Sequence, residues 1–404
     1  MNRQNLVRRL GVFGVVLALV AGCSTLPSLS PQPTGTATPT AAPPATAAPT
    51  PAPSAAPALP DSLLLAVAGD GEDGVVLTVQ PDGDNYEALA SGDWADWSPD
   101  GRSIVYSCRS GSEGAYDNIC VMNADGSGQR RVIVGGFHPS WSPDGTQLMF
   151  SRSTIDAGDT WVADADGSNP RKIGDGAGSW SPNGSWILLL GASGALPDAT
   201  VVRPDGSDNR ELGDCWGAAW SPDSRRLACT RWEEPRGTLS TIDIATGATS
   251  TILEADVAIG DPAWITDDRL AIAMTRAGAS ASAVPPQNDL YLLDAGSDEP
   301  RQLTRDLSIT GPIDVSPDGA WLAFAVIDGD TRNVHVVSTA GEALQVTGNG
   351  ATGAPRWQPG LATGATSSPA PSVQPPAAWA SAPGSFPVAS GSSEVAAGPD
   401  GGAS

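Results

Sequence analysis

The residues best suited to chemistry in this sequence are five cysteines, two histidines and a set of aspartates that recur in one short phrase. Two histidines, His138 and His335, are too few for a three-histidine metal site. Calcium needs several oxygens that converge on one point, whereas the aspartates are spaced along the chain. They are Asp100, Asp144, Asp223 and Asp318. We expect no metal and no cofactor, and a calcium ion in a central channel is the alternative.

Cys23 follows a segment with the features of an export signal. Three arginines precede an uncharged run over 10–22, "LGVFGVVLALVAG", which is too short to span a bilayer but suits a signal-peptide core. The run ends in "LVAGC", which resembles the lipobox of bacterial lipoproteins, whose cysteine is acylated. We expect residues 1–22 to be a lipoprotein signal peptide and Cys23 to carry the lipid, with an ordinary secretory signal as the alternative.

Two further segments are predicted to lie outside any folded core. Residues 23–60 are rich in Pro, Ala and Thr and hold no charged or aromatic side chain, so we expect a solvated, disordered tether. Residues 361–404, rich in Ala, Pro, Ser and Gly, are predicted to be a disordered tail. The folded domain is expected over 61–360.

The net charge restricts the partners of the chain. The formal charge is -23, from 22 Lys and Arg against 45 Asp and Glu. Such an acidic surface repels nucleic acid and anionic lipid head groups. We expect no nucleic-acid partner, and contact with a membrane only through the N-terminal lipid.

A phrase built on Trp-Ser-Pro-Asp-Gly recurs about every 40 residues, the period of a four-stranded propeller blade. After each Pro-Asp-Gly turn, apolar residues alternate, as in Ile104 with Tyr106, which predicts a strand with one buried face. The proline in most units argues against helical repeats. The phrase begins at Trp97, Trp141, Trp180, Trp220, Trp264, Val315 and Trp357.

The two ends of the repeat region predict how the ring closes. Trp357 supplies a first strand with no repeat after it, while residues 62–90 supply three strands without a motif tryptophan. Joining them into one blade removes the free sheet edges. We therefore expect an all-β, seven-bladed propeller of four-stranded antiparallel blades, with a six-bladed ring as the alternative.

The phrase, combined with a later turn such as Asn123-Ala-Asp-Gly-Ser127, resembles the propeller repeat of the TolB family. The resemblance covers about 61–360 and implies a β-propeller. TolB itself has an α/β domain before its propeller and works with a peptidoglycan-associated lipoprotein. Here a tether precedes the repeats, so the resemblance does not imply that role.

The tryptophans fall into two groups. Those of the phrase, Trp97, Trp141, Trp180, Trp220, Trp264 and Trp357, are expected to pack one blade on the next. Trp94, Trp216 and His138 lie on loops that enter a first strand, which point towards the central channel or its mouth. They are the candidate binding residues, because exposed aromatic rings stack on sugars or anchor proteins. Plugging the channel or capping a blade is the alternative for both tryptophans.

Strand pairing predicts two disulfides among the other four cysteines. Cys108 ends the second strand of its repeat and Cys120 lies in the third, so antiparallel pairing brings them together. Cys215 precedes a first strand, and Cys229 lies in the second strand at a similar distance from the turn. We expect the bonds Cys108–Cys120 and Cys215–Cys229, with buried free thiols as the alternative.

The sequence thus predicts a non-catalytic binding or scaffold module in the cell envelope. Peptidases with this repeat add an α/β-hydrolase domain, and neither that domain nor a Gly-x-Ser-x-Gly elbow follows the repeats. We expect a monomer that is lipid-anchored to the cell membrane on the extracytoplasmic side and binds an envelope protein or glycan. A propeller-based glycan lyase or hydrolase and a structural envelope spacer are the alternatives.

Overall fold

The structure is a computed structural model of the chain. The residues it describes are 57–69, 74–109, 116–152, 158–191, 198–279, 287–294, 296–329, 331–348 and 354–360. The expected signal peptide, Cys23 and the tail all lie outside these ranges. Within them, no helix is long and apolar enough to cross a membrane.

The described residues form 28 strands in seven four-stranded antiparallel sheets, each of which is one blade. Blade 1 contains β1 (Leu64–Ala68), β2 (Val75–Val79), β3 (Glu87–Ser91) and, from the other end of the chain, β28 (Arg356–Trp357). The predicted seven-bladed propeller is confirmed, and the six-bladed alternative is excluded.

The other six blades each consist of four consecutive strands. Blade 2 comprises β4 (Asp93–Trp97), β5 (Ser103–Arg109), β6 (Tyr116–Asn123) and β7 (Arg130–Val134). Blade 3 comprises β8 (Phe137–Trp141), β9 (Gln147–Ser151), β10 (Asp159–Asp164) and β11 (Arg171–Asp175). Blade 4 comprises β12 (Ala177–Trp180), β13 (Ile187–Gly191), β14 (Asp198–Val202) and β15 (Arg210–Asp214).

The last three blades follow the same order. Blade 5 comprises β16 (Gly217–Trp220), β17 (Arg226–Glu233), β18 (Arg236–Asp243) and β19 (Thr249–Ala255). Blade 6 comprises β20 (Ile259–Thr266), β21 (Arg269–Thr275), β22 (Asn288–Asp294) and β23 (Arg301–Gln302). Blade 7 comprises β24 (Ile309–Val315), β25 (Trp321–Asp328), β26 (Thr331–Ser338) and β27 (Ala343–Gln345).

The serine and aspartate of the phrase hold the turn between the first two strands of a blade. In blade 3, the Ser142 hydroxyl donates to Asp144 Oδ1 at 2.6 Å and accepts the Gln147 N–H at 2.9 Å. Asp144 Oδ1 also accepts the Thr146 N–H at 3.0 Å. The same hydroxyl-to-carboxylate bond recurs in Ser98/Asp100, Ser221/Asp223 and Ser316/Asp318. The repeated aspartates therefore have a structural function in their turns.

Seven apolar clusters of described residues lie between neighbouring blades, one at each blade interface. In β5, Ile104 joins the cluster between blades 1 and 2, whereas Val105 joins the cluster between blades 2 and 3. The expectation of one buried face is therefore wrong for these second strands. Each blade lies between two others, so both faces of its second strand are covered.

The structure places the tryptophans of the phrase at these interfaces. The indole N–H of Trp97 donates to the Arg356 carbonyl at 3.3 Å, and that of Trp264 donates to the Ala219 carbonyl at 3.1 Å. Both bonds join a blade to the preceding one. Trp220 makes the equivalent bond, while Trp141 and Trp180 are half-buried and pack against the interface clusters.

Both ends of the described chain contribute to closure of the ring. The strand β28 pairs with β1, and Leu64 lies opposite Trp357, which is buried. Ahead of β1, the Ala58 carbonyl accepts the indole N–H of Trp321 at 3.0 Å, and Leu59 packs on the cluster between blades 7 and 1. These two residues fall in the range expected to be tether, so contact with the propeller begins before residue 61.

The structure contains both predicted disulfides. Cys108 and Cys120 join β5 to β6 with their Cα atoms 5.8 Å apart. Cys215, just before β16, bonds Cys229 in β17 with a Cα separation of 5.5 Å. Each bond lies within one blade, as antiparallel pairing of neighbouring strands requires.

Ending the chain at Thr352 is expected to destabilise the propeller by about 3–5 kcal/mol, because it removes buried Trp357 and exposes the edge of β1. A chain ending at Gly360 keeps β28 and is the matched control. Denaturant unfolding of the two truncated proteins measures the difference. Equal free energies of unfolding would contradict closure by β28.

Candidate functional site

A cavity of about 460 Å³ lies where first strands of the blades face the propeller axis. Five of the seven blades line it, namely blades 1, 2, 3, 4 and 7. Its lining residues are Val67, Asp93, Trp94, Ala95, Asp96, His138, Pro139, Ser140, Gly178, Thr310, Gly311, Pro312, Ala325, Arg332, Ala354 and Arg356. Two of the three candidate binding residues, Trp94 and His138, are among them.

Trp94 and His138 lie within the first strands β4 and β8, not on the loops before them as expected, and occupy equivalent β-bulges in neighbouring blades. The pairing of β4 with β5 shifts between Asp93 and Asp96, and that of β8 with β9 shifts between Phe137 and Ser140. In each case the first strand has one more residue than its partner, which bends it towards the channel mouth. The bulges aim both aromatic side chains into the same cavity.

Both aromatic residues have the left-handed backbone that bulky side chains rarely adopt. The φ angle is 47° at Trp94 and 52° at His138. In blade 7 the bulge contains Gly311, with φ 70°, which glycine adopts without steric cost. The blade 7 bulge, which has two extra residues instead of one, thus forms around a glycine. Trp94 and His138 are retained at a cost of roughly 1–3 kcal/mol each, which is typical of functional positions.

The two rings contact each other across the boundary between blades 2 and 3. Their centroids are 3.8 Å apart and their planes are tilted by 50°. The backbone N–H of Trp94 donates to the Asp93 carboxylate at 2.8 Å, and the backbone N–H of His138 donates to the Ser107 hydroxyl at 3.1 Å. The strained backbones are thus held by hydrogen bonds, and Trp94 still has 50% of its surface exposed.

His138 is neutral at physiological pH. Its ring remains exposed to solvent at the channel mouth, but the surrounding walls remove part of its hydration, and this partial burial lowers the pKa of the imidazole. A neutral ring next to Trp94 gives the mouth an aromatic surface without adding positive charge. We call the surface formed by Trp94 and His138 the aromatic shelf.

Three charged residues lie beside the aromatic shelf on blades 7, 1 and 2. The Arg356 guanidinium lies 3.6 Å from the Asp314 carboxylate. Asp314 Oδ2 accepts the backbone N–H of Trp357 at 2.7 Å, and Asp96 Oδ2 accepts the backbone N–H of Trp141 at 3.1 Å. Both carboxylates therefore tie one blade to the next.

Burial raises the pKa of both carboxyl groups above the usual range, and the positive charge of Arg356 only partly opposes this effect. Although each carboxylate keeps some contact with solvent, protein surrounds it on the channel wall. Asp96 and Asp314 also repel each other, which raises the pKa of Asp96 further. Ionising either carboxyl group therefore costs more here than in water.

The sequence-based reasoning missed these three residues, although a signal for them exists. Each stands one position before the first residue of the phrase, so strand alternation turns its side chain to the face of the blade opposite the motif residue. The seven residues at this position are Asp96, Ser140, Ser179, Ala219, Ala263, Asp314 and Arg356. Only blades 7, 1 and 2 have a charge there.

The remaining candidates lie elsewhere. Trp216 immediately precedes β16 and has 51% of its surface exposed, but it does not line the axial cavity. His335 lies in β26 and stacks on Phe324, with ring centroids 6.2 Å apart. Among the described residues, no group of three or more His, Cys, Asp or Glu side chains could hold a metal ion.

Comparisons with known proteins give one short match in sequence and matches in fold. No family model matches the chain. Over 61 residues it is 39% identical to the Tol-Pal system protein TolB of Rhizorhabdus wittichii, and this match covers 14% of each chain. TolB from Acinetobacter baumannii aligns with a TM-score of 0.47 at 16% identity, over 73% of this chain and 82% of that one. A puromycin hydrolase aligns with a TM-score of 0.54 at 17% identity, over 73% of this chain and 53% of the hydrolase, which shows the fold alone.

Asp96→Asn is expected to stabilise the protein relative to wild type by an amount that grows from about pH 4 to about pH 7. Burial raises the pKa of Asp96 in the folded state, so the stability contributed by its protonated form is lost as the pH rises through that pKa. The amide oxygen of asparagine can still accept the Trp141 N–H. Melting temperatures of both proteins across this range measure the effect.

Asp125→Asn is the control with the opposite sign. Hydrogen bonds from Ser127 lower the pKa of this exposed turn carboxylate, so its contribution to stability is present above the unfolded pKa and is lost as the pH falls. This variant should be less stable than wild type near neutral pH and should approach it in acid. The same pH trend in both variants would contradict the raised pKa of Asp96.

Proposed function

We propose that this protein is a non-catalytic binding module, which takes an envelope partner at the mouth of its axial channel. One observation carries the proposal: two aromatic residues, Trp94 and His138, occupy strained left-handed positions in their bulges, whereas the longer bulge of blade 7 contains a glycine. Their rings contact each other at a tilt of 50° and line a cavity of about 460 Å³. A pocket with aromatic walls and a few polar groups is typical of ligand-binding sites.

The carboxylates of the mouth favour binding over catalysis. Asp96 and Asp314 each accept a backbone N–H of the next blade, and Asp314 pairs with Arg356. A general acid or base needs a free position from which to exchange a proton with substrate. The framework engages these carboxyl groups and fixes their positions, which supports a charged surface for binding over a proton-exchanging pair.

The proposal places the propeller outside the cytoplasm, anchored by a lipid on Cys23. The order of positive charge, apolar run and "LVAGC" supports the anchor. The two disulfides support the compartment, because such bonds persist in oxidising surroundings. A tether of about 37 residues, at about 3.1 Å per residue when extended, would hold the propeller well clear of the bilayer.

Cys23→Ala should release the protein into the soluble fraction or leave its signal segment uncleaved, because alanine has no thiol to acylate. Membrane fractionation and mass spectrometry of the N-terminus measure this outcome. Replacing the structural Cys108 and Cys120 together by serine is the control and should leave the lipid in place. A Cys23→Ala protein that is still acylated and membrane-bound would refute the lipid anchor.

Trp94→Gly should abolish partner capture while leaving the fold intact. Glycine adopts the φ of 47° freely, so the variant should melt no lower than wild type. Trp216→Ala is the matched control, because Trp216 is equally exposed but lies outside the cavity. Cross-linking in solubilised envelope, followed by mass spectrometry, compares the three proteins. Equal capture by wild type and Trp94→Gly would place the binding surface elsewhere.

A further inference from the structure

The charges around the aromatic shelf favour a positively charged ligand. Asp93 and Asp96 line the cavity together with Arg332 and Arg356, and Asp314 pairs with Arg356 behind it. The three carboxylates exceed the two guanidinium groups by one negative charge. Arg356 is already bound to Asp314 and interacts with Asp96, so it is poorly placed to receive an anion.

The aromatic rings add to this preference. The exposed face of Trp94 can bind a cation through its π electrons, an interaction that is strongest for tryptophan. His138 does not oppose a cation, because its imidazole is neutral at physiological pH. Over longer distances, the net charge of -23 attracts cations to the protein and repels anions.

The geometry of the shelf favours a slender ligand. The two rings are tilted by 50°, so they do not form the flat, continuous platform on which a sugar ring stacks best. The methylene stem of a lysine or arginine can lie against the indole while its charged end reaches carboxylates. Asp93, next to Trp94 in the chain, and Asp96 are the nearest such groups on β4.

We infer that the mouth of the channel recognises a basic side chain, lysine or arginine, on an extended segment of a partner protein, with its stem on Trp94 and its charge directed to Asp93 and Asp96. This inference rests on the proposed function and narrows its partner to a protein with an exposed basic residue. The shelf supplies the contact area, and the carboxylates supply the selectivity for charge.

Calorimetric titration with three blocked peptides tests the inference. The peptides are acetyl-Ala-Pro-Lys-Pro-Ala-amide and its analogues with Gln or Glu in place of Lys. The Lys peptide should bind roughly tenfold more tightly than the Gln peptide, the scale of one cation–π contact with one charge pair, and the Glu peptide should bind most weakly. Equal affinities for the three peptides, or no binding of the Lys peptide at roughly millimolar concentration, would overturn the charge preference.

Two charge variants separate local recognition from the general attraction of an acidic protein. Asp96→Asn removes one negative charge at the mouth and should reduce the preference for Lys over Gln to less than about threefold. Glu211→Gln removes one charge from an exposed position in β15 and should leave the preference unchanged. An equal loss in both variants would show nonspecific attraction only and overturn the inference.

Two further outcomes distinguish this inference from the proposed function. If Trp94→Gly weakens all three peptides equally and the charge preference is absent, the mouth binds ligands but the assignment to a basic side chain is wrong. If Trp94→Gly changes no affinity, both the inference and the binding site fail. Tighter binding of a glucosamine tetramer than of the Lys peptide would overturn the assignment to a protein partner.

Discussion

The structure depends on one constraint: each blade exposes two apolar faces, and both must be covered by neighbours. The second strands show this most directly, because Ile104 and Val105, adjacent in β5, belong to the clusters on opposite sides of blade 2. An open row of blades would leave an apolar face at each end. Closure of the ring by β28 on β1 covers both faces and pairs the last sheet edge.

This closed framework explains why strained residues are tolerated on the axis. Residues of the repeated phrase have structural functions: serine and aspartate hold the turn, and tryptophan packs on the preceding blade. Trp94 and His138 lie further ahead of the phrase, at the bulges, and take no part in these functions. Seven interface clusters restrain the first strands. The left-handed backbones of Trp94 and His138 therefore persist, although this conformation is unfavourable for residues with bulky side chains.

Aspartate serves two opposite electrostatic functions in this molecule. In the turns, as at Asp125 and Asp166, hydroxyl and backbone N–H donors surround an exposed carboxylate and lower its pKa. On the axis, at Asp96 and Asp314, burial dominates and raises the pKa. The turn carboxylates stabilise the blades, whereas the axial ones retain costly negative charge at the mouth of the channel. The second arrangement is the one that a ligand of opposite charge can exploit.

The sequence by itself determined the blades and the two disulfides, because these depend on local turns and on alternation within neighbouring strands. It determined the closure because the repeats at its two ends are each incomplete and complete each other. It also indicated Trp94 and His138 as candidates, although it placed them on loops and they lie within the first strands β4 and β8. It could not show that the two rings contact each other, that Trp216 lies apart from them, or that Asp96, Asp314 and Arg356 meet across blades 2, 7 and 1. Those contacts join residues up to about 260 positions apart and arise only when the ring closes. Bulges decide the direction of each side chain at the mouth, and the register shifts that create them appear only when the first two strands pair.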